Sequence, residues 1–236
     1  MTTAGQIERQ LKLLGNKADA EHSQRFFKTG PGEYGEGDRF LGIRVPVLRG
    51  LAKDHIEIYL EDTVELLQSP FHEVRLTALL IMVYQAKHGG HTAPLYRAYL
   101  ANTAQINNWD LVDCSAEHIV GRHLFNRNRK PLYRLAKSES LWERRIAILA
   151  TFHFIRQQQF DDTLAIADLL LNDREDLMHK AVGWMLREVG NRDLQTEENF
   201  LLPRYQSMPR TMLRYAIERF PEPRRQKYLK GLLSVL

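Results

Sequence analysis

Apolar residues recur at three- and four-residue spacing in "EVRLTALLIMVYQAKHG", "WERRIAILATFHFIRQQ", "DLMHKAVGWMLREVG" and "TMLRYAIERF". This is the pattern of a helix with one buried stripe, and the alternation of a half-buried strand is absent. Between these stretches stand the polar joints "KHGGHTAP", "VGNRD" and "FPEPRRQ", whose Gly and Pro residues end helices. The pattern predicts an all-α chain of helices joined by short turns.

Aligning the helices on their first inward small residues sets Arg75-Leu76-Thr77-Ala78 against Asp113-Cys114-Ser115-Ala116, Arg145-Ile146-Ala147-Ile148, Lys180-Ala181-Val182-Gly183 and Arg214-Tyr215-Ala216-Ile217. The steps between anchors are 38, 32, 35 and 34 residues. A period of this length with two helices per unit is that of an α-solenoid of HEAT-like repeats, so a single repeat domain over residues 1–236 is expected. Equivalent positions in such a stack form a row along a concave surface, and here the row reads Arg75, Asp113, Arg145, Lys180, Arg214. Four cations suit a concave basic groove that follows a DNA phosphate backbone. Asp113 is the exception, because a carboxylate facing a polyanion opposes binding unless it has a separate task.

Residues 29–46, "TGPGEYGEGDRFLGIRVP", interrupt the helical pattern with four glycines between Gly30 and Gly37. They read as a long loop leading into "VLRGLAKDH". The segment lacks the Gly-Lys-Ser/Thr ending of a phosphate-binding loop and follows no strand, which argues against an ATP site. It is expected to pack on the first repeat or to reach a ligand through Tyr34 or Arg39.

Composition is ordinary for a globular chain, with 44% hydrophobic and 26% charged residues. The net charge of +4 is unevenly placed: residues 121–137 hold Arg122, Arg127, Arg129, Lys130, Arg134 and Lys137 with no acid, and residues 201–236 hold eight Lys/Arg against Glu218 and Glu222. Two basic zones point either to a polyanion surface or to solvated basic helices. The single cysteine, Cys114, excludes an internal disulfide framework and a Cys-rich zinc site and makes a reducing, cytoplasmic setting the default. No run of about eighteen apolar residues suggests export or a membrane span. His118 and His123 point to different faces, and His88 and His91 flank a Gly-Gly turn without nearby acids, so no metal ligand set is expected. Ser115 lacks a histidine in a triad arrangement and Cys114 faces away from Asp113, which gives no signal of covalent catalysis.

In "NNWDLVDCSAEH", Trp109 precedes Asp113 by four residues and shares its helical face, and Trp184 follows Lys180 by the same spacing. Indole faces in a cationic groove attract positive charge and pack against sugar and base. The alternative for each tryptophan is a place in the core.

"NNWDLVD", "WERRIAIL", "KAVGWMLRE" and "FLGIRVP" together resemble the DNA alkylation repair enzymes of the AlkD type, a family of HEAT-like repeat DNA glycosylases, with motif order and spacing agreeing over nearly the whole chain. The resemblance implies hydrolysis of the N-glycosidic bond of purines alkylated at N3 or N7 in duplex DNA. It places the catalytic aspartate on Asp113, the groove tryptophans on Trp109 and Trp184, and the catalytic-site arginine on Arg145. Helical phase favours Arg145 over its neighbour Arg144, since Arg145 is in line with Lys180 and Arg214. The chemistry fits one acid: an alkylated purine already carries positive charge and leaves without protonation, so a fixed carboxylate need only stabilise the oxocarbenium-like sugar and place a water. Two-carboxylate glycosidases serve poorer leaving groups.

The two indoles would flank the deoxyribose, and the family is known to act without an extrahelical base pocket. Arg75, Arg145, Lys180, Arg187 and Arg214 would hold phosphates. The implied partner is duplex DNA containing alkylated bases, with no cofactor, no metal, no obligate protein partner and a monomeric state. The family also holds relatives that bind branched or damaged DNA without cleaving bases, and a non-catalytic DNA-binding solenoid is the alternative reading. A protein-interaction scaffold would leave the basic bias and the Trp-Asp spacing unexplained.

Overall fold

A computed structural model describes residues 2–89 and 92–233, so His91 lies outside the described residues. Among them there is no strand, and one isolated parallel bridge joins Arg39 to Phe71. The chain divides into two compact units, Met1–His123 and Leu124–Leu236.

The first unit contains α1 Ala4–Leu13, α2 Lys17–Phe26, α3 Val45–Asp54, α4 Leu60–Leu67, α5 His72–His88, α6 Thr92–Ala101 and the one-turn α7 Trp109–Asp113, then a π-helical stretch Glu117–Gly121. A single turn, α8 Arg122–Leu124, follows at the unit boundary. The centre is α5, which packs against α1, α3, α4, α6, α7 and the π-helical stretch. Its apolar run from Leu76 to Val83 is buried on every side, the mark of a core helix rather than of an amphipathic surface one. That position also buries His72, Glu73 and Arg75 in its first turn, and these three hold the glycine-rich segment. The Glu73 carboxylate accepts the amides of Leu41 (2.9 Å), Gly42 (2.7 Å) and Ile43 (3.3 Å). Gly42 has φ +78°, and a Cβ there would stand 2.1 Å from the Asn16 carbonyl oxygen, so only glycine lets α2 begin so close to this loop.

The loop thus packs on the first helices, with the Arg39 guanidinium 4.8 Å from the Phe71 ring centroid. The following helix begins at Val45 with Pro46 in its first turn, ahead of the predicted start because proline is preorganised there.

The second unit contains α9 Lys130–Leu135, α10 Leu141–Ala150, α11 Phe152–Arg156, α12 Asp161–Leu169, α13 Asp176–Gly190, α14 Leu194–Leu201, α15 Arg210–Ala216 and α16 Glu222–Lys230. Here helices pack on sequential neighbours: α10 on α9 and α13, α13 on α14 and α15, the arrangement a helical repeat requires. Where α13 meets α15, a Cβ on Gly183 would lie 2.4 Å from the Met212 carbonyl oxygen, so the glycine sets how near the two helices approach. The stretch read as one helix from Trp142 to Gln158 breaks at Thr151, whose Oγ1 donates to the Ile148 carbonyl at 2.6 Å. "FPEPRRQ" is half joint and half helix, since Pro223 falls in the tolerant first turn of α16.

Candidate active site

Trp109 and Asp113 open and close α7, one turn apart, and both are half-buried. Five residues are too few to sustain a helix alone, so its direction is set from outside. Asn108 caps it, taking the Trp109 amide at 2.8 Å. Its other anchors belong to a buried polar network centred on Asp38. The Asp38 carboxylate accepts from Arg75 Nη2 at 2.6 Å, from Asn107 Nδ2 and Asn108 Nδ2 at 3.3 Å each, and faces His72 Nδ1 at 3.1 Å. The far side of the same imidazole, Nε2, lies 2.8 Å from Asp110 Oδ2, within α7 itself. Burial opposes a charge on His72, but Asp110 and Asp38 outweigh it and hold the imidazolium up at about 9. Burial likewise opposes ionisation of Asp38, and the His72 bond and the Arg75 guanidinium prevail, so its carboxyl sits below the ordinary value.

A column of rings fixes the indole. Trp109 stacks on Phe27 (centroids 5.3 Å apart), Phe27 on Phe40 (5.1 Å) and Phe40 on His72 (4.6 Å), separations at which aromatic pairs are attractive. Beside the column a cleft of about 650 Å³ opens under α2, with Phe27, Phe40, Ile43, Leu76 and Asp110 in its wall. Next to Asp113, desolvation and the Asp110 and Asp113 carboxylates push the Cys114 thiol well above its ordinary value, which leaves no thiolate nucleophile near neutral pH.

Arg75 was expected to face phosphate. The structure instead places it inside the fold, 4% exposed, with its guanidinium held by Asp38, by Asn107 Oδ1 at 3.1 Å and by the Ser69 carbonyl at 3.0 Å. The physical reason is the central position of α5, all of whose first-turn polar groups turn inward.

In the second unit, Arg145, Lys180 and Arg214 stand on three helices packed in sequence, α10, α13 and α15. Arg145 is 4% exposed and donates from Nη1 to the Leu177 carbonyl. Its neighbour Arg144 bonds to Asp173 (2.7 Å) and to the carbonyls of Ser138 and Glu139. Lys180 pairs with Asp176 at 2.8 Å, Arg187 pairs with Glu218, and Arg214 is exposed. Trp184 is half-buried, with Nε1 donating to Glu188 at 3.3 Å and its ring 5.9 Å from Phe152.

Sequence reasoning missed Asp38, His72, Glu73 and Asp110. The available signal was the cluster of polar types in "FHEVR" opening an otherwise apolar helix, which has to be satisfied once that helix is buried. Among the described residues, no group of three or more His, Cys, Asp or Glu is placed to hold a metal ion, and no helix is long and apolar enough to cross a membrane.

The family model for the DNA alkylation repair enzyme matches residues 7–220. Among solved structures, the chain is similar to a predicted DNA alkylation repair enzyme from Enterococcus faecalis, with TM-score 0.71, 17% identity, and coverage of 88% of this chain and 97% of that one. It is also similar to AlkD2 from Streptococcus mutans, with TM-score 0.53, 16% identity, and coverage of 92% and 96%. At these identities the likeness is one of fold. No curated protein matches the chain.

Proposed function

The chain belongs to the DNA alkylation repair enzyme family, and on that premise we propose that it is a DNA glycosylase that releases purines alkylated at N3 or N7 from duplex DNA. The observation that carries this reading is the presentation of Trp109 and Asp113 one turn apart on a helix too short to hold itself, fastened by a buried polar network and a ring column. A carboxylate held this way is preorganised, so it stabilises a developing charge without reorganising during the reaction.

The alkylated base leaves as a neutral group, its glycosidic electrons discharging the ring's positive charge. The deoxyribose becomes oxocarbenium-like, Asp113 faces that charge and orients the attacking water, and the Trp109 ring favours the cationic sugar. Water adds its oxygen to the anomeric carbon and gives up a proton to Asp113, which passes it to solvent, leaving an abasic site. The family resemblance assigns Trp184 and Arg145 roles as well; Arg145, buried and bonded to the Leu177 carbonyl, would act by bracing α13, the helix that carries Trp184. Lys180, Arg187 and Arg214 are assigned to phosphates, where Lys180 and Arg187 exchange a carboxylate partner for a phosphate one. Arg75 acts through Asp38 rather than on DNA.

The test is release of free base from methylated duplex DNA by wild type and Asp113→Asn side by side, with unmodified duplex as control. Loss of about two to three orders of magnitude in the rate, the size of one preorganised electrostatic contact, is expected with DNA affinity unchanged or slightly raised. Release by the variant at the wild-type rate would move the chemistry to another residue. Salt-sensitive DNA binding without release by either protein would make this a binding-only member of the family.

A further inference from the structure

We propose that His72 is a positioning residue for this reaction: a doubly donating imidazolium whose bonds to Asp38 and Asp110 clamp the helix that presents Trp109 and Asp113. The inference rests on the glycosylase reading above. It starts from a geometric constraint. Both ring nitrogens of His72 face carboxylate oxygens, at 3.1 and 2.8 Å, and the imidazole and the Asp38 side chain are almost wholly buried. A neutral imidazole has one N–H and one lone pair. It would donate to one carboxylate and set a lone pair against the other, a repulsion that low-polarity surroundings magnify. Only the cation satisfies both.

The charges close around it. Asp38 and Asp110 are balanced by His72 and by Arg75, whose Nη2 is on Asp38 at 2.6 Å. Glu73, the next residue of α5, is turned away onto the amides of residues 41–43. The Phe27 and Phe40 rings also lie against the imidazole, 5.0 and 4.6 Å away, and Asp19, His22 and Arg44 line the same cleft as His72. Deprotonation would therefore leave an uncompensated buried negative charge at the point where α5, the loop and α7 meet. The Asp110 bond is the one that fails most consequentially, since Asp110 stands between Trp109 and Asp113 on a single turn. His72 touches neither DNA nor the reacting atoms in this scheme. It works through the direction of α7, and so governs how well the carboxylate and the indole are aimed rather than how tightly DNA binds.

Two measurements on the full chain test this. The first is independent of activity: ¹⁵N NMR of His72 should show both ring nitrogens protonated at pH 7.5, with a titration near pH 9, and the Trp109 indole N–H resonance should shift along the same curve. A His72 with one bare nitrogen at pH 7.5 overturns the proposal whether or not the protein releases bases. The second is kinetic. His72→Gln supplies one donor in place of two, and should lower kcat for base release at least tenfold while leaving KM within about twofold.

Wild-type kcat should fall above the His72 titration. Asp110→Asn, whose amide can donate to a neutral imidazole, should lose that alkaline limb. Wild-type kcat in His72→Gln, or an alkaline limb that persists unchanged in Asp110→Asn, overturns the positioning role. Should His72→Gln fail to fold, a wild-type limb that does not coincide with the NMR titration overturns it equally. If wild type releases no base, the glycosylase reading fails while the NMR result still decides the state of the clamp.

Discussion

The two units treat their charged residues in opposite ways. In the first, Asp38, His72 and Arg75 are all buried and bond to one another, to Asp110, to the Asn107 and Asn108 amides and to the Ser69 carbonyl. In the second, Lys180 and Arg187 reach out to carboxylates that are themselves about half exposed, Asp176 and Glu218. Buried pairs with no solvent to replace a lost partner act as framework. Exposed pairs exchange their partners at little cost. The charge row read from the sequence therefore mixes two kinds of residue: Arg75 and Arg145 are buried and bonded within the fold, whereas Lys180 and Arg214 reach the surface.

The sharpest way to break this contrast is to remove the centre of the buried network. Asp38→Ala leaves the buried Arg75 without its carboxylate and His72 with Asp110 alone, and should cost about 3–5 kcal/mol in urea unfolding, the usual penalty for orphaning a buried ion pair. A loss under about 1 kcal/mol would mean that the network is no more structural than a surface pair.

Besides Arg145, the second unit buries a carboxylic acid. Glu197 is 1% exposed, its Oε1 has no hydrogen-bond partner among the described residues, and burial pushes its carboxyl from 4.5 up to about 9. Folding thus favours the protonated acid, so stability is full below about pH 4.5 and declines as pH rises toward 9. Glu197→Gln should raise stability at pH 7 by about 3 kcal/mol, the equivalent of that span at 1.36 kcal/mol per unit. His72 has the same sign over a narrower window: its contribution is complete below pH 6.5 and lost as pH rises through about 9. Glu197→Gln should accordingly flatten the stability profile between pH 4.5 and 6.5 and leave a residual slope from 6.5 to 9. A profile unchanged by the substitution would show that Glu197 ionises in the folded protein.

How much of this was legible beforehand follows from the range of each interaction. The helix at "DLMHKAVGWMLREVG" matches α13 from end to end, because its signal is local periodicity. The Trp109–Asp113 pairing was legible for the same reason. The His72 clamp was not, since its partners lie 34 residues upstream and 38 downstream and no local pattern connects them. Arg75 and Arg145 were read as groove residues because each takes the same place in the repeat alignment as Lys180 and Arg214, beside the inward stripe of its helix. Position next to a buried stripe gives a direction of approach to the core, and it does not reveal whether the guanidinium ends in solvent or inside. The π-helical stretch at Glu117–Gly121 was hidden as well, as "EHIVG" continues an ordinary helical spacing.

The smallest expected effect isolates the exposed side of the comparison. Lys180→Gln and Arg187→Gln each remove one cation whose present partner is a half-exposed carboxylate, so each should change unfolding stability by no more than about 1 kcal/mol. If these cations take phosphates, each substitution should also lower the slope of log affinity against log salt by about 1, equally for alkylated and plain duplex, because a phosphate contact carries no information about the base. Loss of stability without a change in slope would place the two residues with Asp38 and Arg75, as framework. A lowered slope with stability intact would separate the units as the burial pattern does: one holds the carboxylate and the indole in place, and the other offers charge that DNA can displace.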